Sequence, residues 1–397
     1  MTLSISNDNS AAGVPHPTES RWYSPRQGFS VKNQTSDNRE INLLSQLVFR
    51  GYAEDFSSPD SSLGEFAIEQ LPSSPEEFRS LLKLADSHHV SVRALRVLSG
   101  IAGKNGAVEL RQWCESAVTA EQARIANAAE WLKIIVRCLE DSGCPVCVIK
   151  SLDHWPDLGS DLDLYTSGSP AQVSRIMRQK LNAEEEPRSW GDKLANKWNY
   201  RVPGLPELVE IHVQYLGQTG EQKLMARRVL ERSITKTVDG HSFPVPAPEE
   251  RVLISTLQRM YRHFYFRLCD MADMSALINS QSVDFTELQH GAELGNIWPG
   301  VASFLVIVFE YAQRYGRLIQ LPSGVVEAAY SPDLRVQFRN GFLRVPMGPA
   351  AALYGSQLFG AGRHRDVRAI ARLPLLPPLA VSALLAYRFT GSDKGIW

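Results

Sequence analysis

The chain has 397 residues, 44% of them hydrophobic and 21% charged, with a formal net charge of −1. That length supplies apolar surface for two or three domains without disulfide staples. The balanced charge excludes a molecule that binds polyanions over its whole surface, while leaving room for a local basic patch. Five cysteines, an odd number, and an N-terminus without a charged-then-apolar leader point to a reducing compartment and a cytoplasmic protein.

Residues 1–40 are rich in Ser, Asn, Pro and Thr and carry little apolar periodicity, which predicts a disordered or loosely attached arm. Residues 41–141 read as a helical region. Ser73-Ser74-Pro75-Glu76-Glu77 is a helix start, with proline in the first turn and acids at the positive end of the helix dipole. Ile125, Leu132, Ile135, Val136 and Leu139 fall on one face of a long helix that begins near Glu121 and is ended by Gly143.

Residues 142–247 read as a small α/β core. Cys144-Pro145-Val146-Cys147 is a lone CxxC, without the second pair or the histidines that a zinc site requires, and reads as a turn into a buried strand. Strands are predicted over Val146–Ile149, Leu162–Tyr165 and Leu208–Val213. A helix starts at Pro170, a polar and aromatic loop runs from about Trp190 to Tyr200, and a hairpin turns at Asp239-Gly240. From Pro248 to about Leu277, and again from Trp298, the spacing is helical, giving a C-terminal helical region over 248–397. The apolar stretch from Leu373 to Tyr387 has 15 residues and three prolines, short of the roughly 20 needed to cross a bilayer, and reads as a buried terminal helix. No fixed-period repeat is present. The fold class expected is α+β, a small mixed-sheet core flanked by N-terminal and C-terminal helical regions.

Asp161-Leu162-Asp163 is the most informative tripeptide. In a strand, alternate side chains share a face, so both carboxylates point one way and the leucines the other. Two adjacent carboxylates repel, and holding them together implies a compensating cation. An all-oxygen ligand set suits Mg²⁺ or Mn²⁺. On a second strand, Glu210 and His212 alternate with Val209 and Ile211, so Glu210 can complete a three-carboxylate site that holds a metal or accepts a proton. Ile149-Lys150-Ser151 ends a strand, where a small residue lets the backbone approach a phosphate and Lys150 adds charge. Gly159 permits a tight entry into the next strand, and Ser160 has a hydroxyl to offer a phosphate oxygen.

A strand ending in a small residue, then Asp-hydrophobic-Asp on a second strand and an acid on a third, resembles the polymerase-β-like nucleotidyltransferase superfamily. More narrowly the chain looks like a bacterial group of uncharacterised nucleotidyltransferases. The match spans roughly residues 45–320. It is carried by the helix around Arg124 and Asn127, by Val148–Ser151, by Gly159–Leu164, by Glu210-Ile211-His212 and by the segment Arg267–Asp273. Lys150-Ser151 stands where the group has Leu-Lys-Gly, and Pro156-Asp157-Leu158-Gly159 stands where it often has an arginine.

The resemblance implies that Asp161, Asp163 and Glu210 are catalytic and bind Mg²⁺ or Mn²⁺, and that Lys150, Ser151, Gly159 and Ser160 bind the nucleotide. It implies transfer of a nucleoside monophosphate from an NTP donor to an acceptor (small molecule, protein or RNA), with release of pyrophosphate. The alternative is a catalytically degenerate nucleotidyltransferase that binds a nucleotide or a partner. A metal-dependent glycosyltransferase would require a larger α/β half before the motif than the helical residues 41–141 provide.

Four further groups have bland readings. His154-Trp155-Pro156-Asp157 reads as a rigid packed turn. Lys193, Lys197 and Arg201 read as solvated charges on the aromatic loop, and His263, Arg267, Asp270 and Asp273 as pairs along one helix. Arg363, Arg365, Arg368 and Arg372 read as surface charge.

Overall fold

A computed structural model describes residues 39–50, 71–330 and 336–390. The arm expected over residues 1–40 lies outside the described residues except for Arg39 and Glu40, which open the first helix. Four helices come first: α1 (Arg39–Arg50), α2 (Pro75–Ser87), α3 (Ser91–Lys104) and α4 (Val108–Glu140). The start of α2 is the one read from sequence: Ser74 caps it, its side chain accepting from the Glu77 amide, and Pro75 occupies the first turn. Helix α4 begins well before Glu121, because Leu110, Cys114 and Val118 carry its buried stripe back at a spacing of four.

The core follows with β1 (Val146–Val148), a 3-10 turn (Ser151–His154), β2 (Asp161–Thr166), α5 (Pro170–Leu181), β3 (Glu184–Glu185), α6 (Trp190–Ala195), β4 (Lys197–Arg201), β5 (Leu208–Val213), α7 (Leu224–Glu231), β6 (Ser233–Val238) and β7 (His241–Pro246). Five strands form one mixed sheet in the order β1-β2-β5-β4-β3. Only β2 and β5 pair in parallel. Leu162, Leu164, Val209 and Ile211 are fully buried on one face of that central pair, which leaves the opposite face to the acids. The hairpin β6–β7 turns at Asp239 and Gly240, both at positive φ.

The segment read as a loop from Trp190 to Tyr200 is a helix and a strand instead. A capping box of Ser189 and Asp192 starts α6, and Asn196 in the left-handed region ends it. Strand β4 then pairs along β5 and buries Trp198 and Tyr200. Aromatic residues beside charged ones masked an ordinary alternation.

The remaining elements are α8 (Pro248–Gln258), a π-helical turn (Arg259–His263), β8 (Tyr265–Phe266), α9 (Leu268–Asn279), α10 (Phe285–Leu294), α11 (Trp298–Arg314), α12 (Ser323–Ala328), β9 (Gln337–Arg339), β10 (Phe342–Arg344), α13 (Met347–Arg363), α14 (Val367–Arg372), a 3-10 turn (Leu373–Leu375) and α15 (Leu376–Thr390). The run expected to be helical from Pro248 to Leu277 is broken at Phe264, whose backbone is left-handed. Nor is the region all helix, since β8, β10 and β9 form a small sheet. The terminal helix is not buried: Val381 and Leu385 are 55% and 47% exposed. Among the described residues no helix is long and apolar enough to cross a membrane.

The C-terminal arginines dock this region on the core. Arg368 lies 3.4 Å over the Tyr215 ring and donates to the Gly220 carbonyl, while Arg372 donates to the Leu194 and Thr219 carbonyls. The CxxC is a turn into β1, as its sequence suggests: Cys144 and Cys147 are buried and free, and burial pushes the Cys147 thiol upward.

A buried ion cluster ties the helices to the loop that precedes β2. Arg93 on α3 donates to Asp157 at 2.7 Å and to Asp273 on α9 at 2.6 Å. Asp157 also accepts from the Val92 amide at 2.6 Å, capping α3. The packed turn His154–Asp157 is held by this cluster, with the His154 carbonyl accepting from Arg93. Asp270 and Asp273 are therefore not partners along one helix. Asp270 pairs with Arg259, and Asp273 with Arg93 and His154.

Candidate active-site cleft

The parallel register of β2 and β5 sets Asp163 directly beside Glu210, with Asp161 two residues earlier on the same face. All three carboxylates line one cleft of about 220 Å³, together with Lys150, Ser151, Gly159 and Ser160. The seven residues singled out from the sequence are thus brought together.

Their electrostatics differ. Burial raises the Asp161 carboxyl, and Glu210 adds to the effect. Burial also pushes Asp163 up to about 7, against the pull of Lys150 and with Glu210 adding to the rise. Burial would raise Glu210 as well, but Lys150, Lys197 and His212 outweigh it and hold its carboxyl well below the ordinary range. Lys197 comes from β4, is buried, and bridges Glu210 at 2.8 Å and Asp192 at 2.9 Å. His212 bonds the other Glu210 oxygen through Nε2 at 2.8 Å. Burial lowers that imidazole to about 4, so it is neutral and donates.

Lys150 pairs with Asp163 and stands 3.6 Å from Glu210. Its backbone, at φ 61 and ψ −54, forms a γ-turn of the rare positive-φ kind, closed by the Ser151 amide on the Ile149 carbonyl at 2.6 Å. Such a conformation costs about 1–3 kcal/mol and persists where the surroundings fix it. Here it turns the chain out of β1 and delivers an ammonium group to the carboxylates.

The Ser151 hydroxyl is engaged with the backbone of β2, accepting from the Asp163 amide at 2.7 Å and donating to the Asp161 carbonyl at 3.3 Å. It fixes the strand that carries the acids. Ser160 is exposed, and its hydroxyl lies 3.4 Å from Asp161 Oδ2. Gly159 sits at a close approach, since a methyl there would stand 3.0 Å from His89 Cε1. Arg124 on α4 braces this loop by donating to the Leu158 and Gly159 carbonyls.

Asp161, Asp163 and Glu210 bring to one cleft carboxylate oxygens of the kind Mg²⁺ takes, and Asp163 and Glu210 offer ligand atoms within 4.8 Å of each other. The donor set therefore fits the divalent metal implied by the sequence. A magnesium ion held there would retain waters and coordinate phosphate oxygens of a ligand.

The opposite wall of the cleft was legible in the sequence only in part: His263 and Arg267 were singled out, but as pairs along one helix. Gln258, Arg259, Arg262, His263, Tyr265 and Arg267 face the acids from the π-helical turn and the start of α9. π-Helical turns of this kind recur at functional sites. Arg259 is buried, paired with Asp270 at 2.8 Å. Its Nη1, like Arg267 Nε, is buried with no hydrogen-bond partner among the described residues. Burial holds His263 well below its ordinary value, and Arg262, Arg259, Lys150 and Arg267 add to the effect. Arg259, Arg262 and Arg267 make this wall positive. Basic residues are dense from 259 to 267, but no local period shows that they face the acids. Carboxylates on one side and guanidinium donors on the other suit a multiply charged anion bound with a divalent cation.

The model of a family described as uncharacterised nucleotidyltransferase matches residues 74–314, a span that takes in the whole cleft from His89 to Arg267. Among solved structures the chain is similar to an antigenic nucleotidyltransferase-like protein from Paracoccidioides brasiliensis, at 16% identity and a TM-score of 0.29, covering 44% of this chain and 90% of that one. No curated protein matches.

Proposed function

The chain belongs to the family of uncharacterised nucleotidyltransferases, and from that membership and the cleft we propose that it transfers a nucleoside monophosphate from an NTP to an acceptor, releasing pyrophosphate in a reaction that depends on Mg²⁺ or Mn²⁺. The observation that carries this reading is the meeting of Asp161, Asp163 and Glu210 with an arginine wall across one cleft. Asp161 and Asp163 would hold the metal. Glu210 is the third carboxylate, and Lys150 and Lys197 hold it in place. Arg262 and Arg267 clamp the triphosphate, with Ser160 and the backbone at Gly159 at its edge. The metal would neutralise charge on the attacking and leaving oxygens. The acceptor is a small molecule, a protein or an RNA.

The test is calorimetric titration of ATP, GTP, CTP and UTP, with and without Mg²⁺, followed by assay of pyrophosphate release. One nucleotide binding tightly only with Mg²⁺ is expected. Binding without any pyrophosphate release, whatever acceptor is supplied, would instead favour a catalytically degenerate nucleotide-binding protein.

The wall has its own signature. Arg262→Ala and Arg267→Ala each remove a charge-assisted donor worth about 1.5–3 kcal/mol, so each weakens NTP binding by about tenfold or more. The corresponding nucleoside, lacking phosphates, should bind both variants as it binds the wild type. Equal losses for nucleoside and nucleotide would show that the arginines merely support the fold.

A pH dependence also follows. Burial pushes the Asp163 carboxyl up to about 7, and a carboxyl must lose its proton to hold a metal. Mg²⁺-dependent nucleotide binding should therefore strengthen as pH rises through about 7. Below that pH, binding should release a proton, which calorimetry detects in buffers of different ionisation enthalpy.

A further inference from the structure

We propose that His89, His154 and Cys269 form a second metal site, for a zinc-like divalent cation, at the edge of the same cleft. Each offers a ligand atom, and these atoms lie within 4.8 Å of one another. Three separate elements supply them: the α2–α3 turn, the 3-10 turn before β2 and the first turn of α9. Cys269 Sγ stands 3.8 Å from His154 Nε2. Tetrahedral zinc, with bonds of about 2.0 Å to nitrogen and 2.3 Å to sulfur, sets those two atoms about 3.5 Å apart. A shift of a few tenths of an ångström brings that pair to the zinc spacing, and the His89 ligand atom lies within 4.8 Å of both.

The surroundings are those of a ligating histidine. His154 Nδ1 bonds Asp273 Oδ2 at 2.6 Å, which leaves Nε2 as the coordinating atom and fixes the ring. Asp273 is itself held by Arg93 at 2.6 Å. On the other side, His89 Nδ1 is buried with no hydrogen-bond partner among the described residues. The His89 backbone is left-handed at φ 52, a conformation that holds the ring against Gly159. Its distance to Cys269 is set through the neighbouring residue, because His88 accepts from the amides of Leu268 at 2.9 Å and Cys269 at 3.3 Å. Two imidazoles and a thiolate select a borderline-soft transition metal over Mg²⁺. His89 and His154 line the cleft, which gives an entry path.

Cys269, His154 and Asp273 also have the order of a nucleophile, a base and its orienting acid. Cys269 is fully buried, however, and so is out of reach of a substrate carbonyl. The third imidazole has no part in such a triad.

The experiment is elemental analysis of the full chain purified without chelators, with Co²⁺ titration of the chelator-treated protein. Stoichiometric zinc and a thiolate-to-cobalt charge-transfer band are expected. Both should be lost in Cys269→Ser and kept in Cys144→Ser and Cys147→Ser. His89→Asn, which suits the left-handed backbone, keeps the result readable if Cys269→Ser fails to fold, and should weaken Co²⁺ binding at least tenfold. Zinc retained in both Cys269→Ser and His89→Asn would overturn the site. So would metal-free protein without a cobalt band. These readouts are independent of nucleotide binding, so failure of the transferase reading leaves them intact.

Discussion

Asp161→Asn combined with Asp163→Asn is expected to abolish Mg²⁺-dependent nucleotide binding and to lower any transfer rate by several orders of magnitude, while the thermal midpoint stays the same or rises. The loss is large because groups that act as one unit do not fail independently. The stability sign follows from the site. Burial raises both aspartates, so their ionised forms are disfavoured in the folded protein, and neutral amides remove that cost. Lys150 keeps Glu210 within 3.6 Å and is not stranded. Circular dichroism melts and calorimetry of the same samples check both halves. A double variant that binds nucleotide as tightly as the wild type would remove the carboxylates from the site.

Arg93→Met should be among the most destabilising single changes in the chain, costing about 3–5 kcal/mol. It leaves two buried carboxylates, Asp157 and Asp273, without the guanidinium that bridges them. Their side chains are only 2% and 7% exposed, so water does not replace the arginine. Urea unfolding should show a lower midpoint with an unchanged slope. Adding Asp273→Asn should recover part of the loss, since removing a partner is worse than removing a pair. The acid limb carries a second check. Burial opposes ionisation of Asp273, but Arg93 and His154 hold its carboxyl below the ordinary value. Its stabilisation is thus present above the unfolded value and disappears as pH falls through the folded one. In Arg93→Met that loss should begin at higher pH. An unchanged acid limb would mean that the cluster does not stabilise the fold.

Local patterns were legible where a short-range period decides the geometry. Alternation in Asp161-Leu162-Asp163 and in Val209-Glu210-Ile211 told which side chains share a face, and the buried leucine, valine and isoleucine side chains agree. The Ser74 cap, the helix from Pro170 and the Asp239-Gly240 turn rest on the same kind of local chemistry. Local reading failed where a pattern was mixed. Trp190 to Tyr200 looked like a loop because charged residues interrupt its aromatics, so Lys197 read as a solvated charge although it is buried and holds Glu210.

By itself the sequence determined that two strands present acids on one face, because side-chain direction in a strand depends only on position along it. Only the tertiary structure decided that Asp163 and Glu210 lie side by side, since register between β2 and β5 is a property of two strands and their packing. The arginine wall and the group His89, His154 and Cys269 needed it too. Their members are far apart in the chain, and no periodicity links residues that meet only because helices fold back over a sheet.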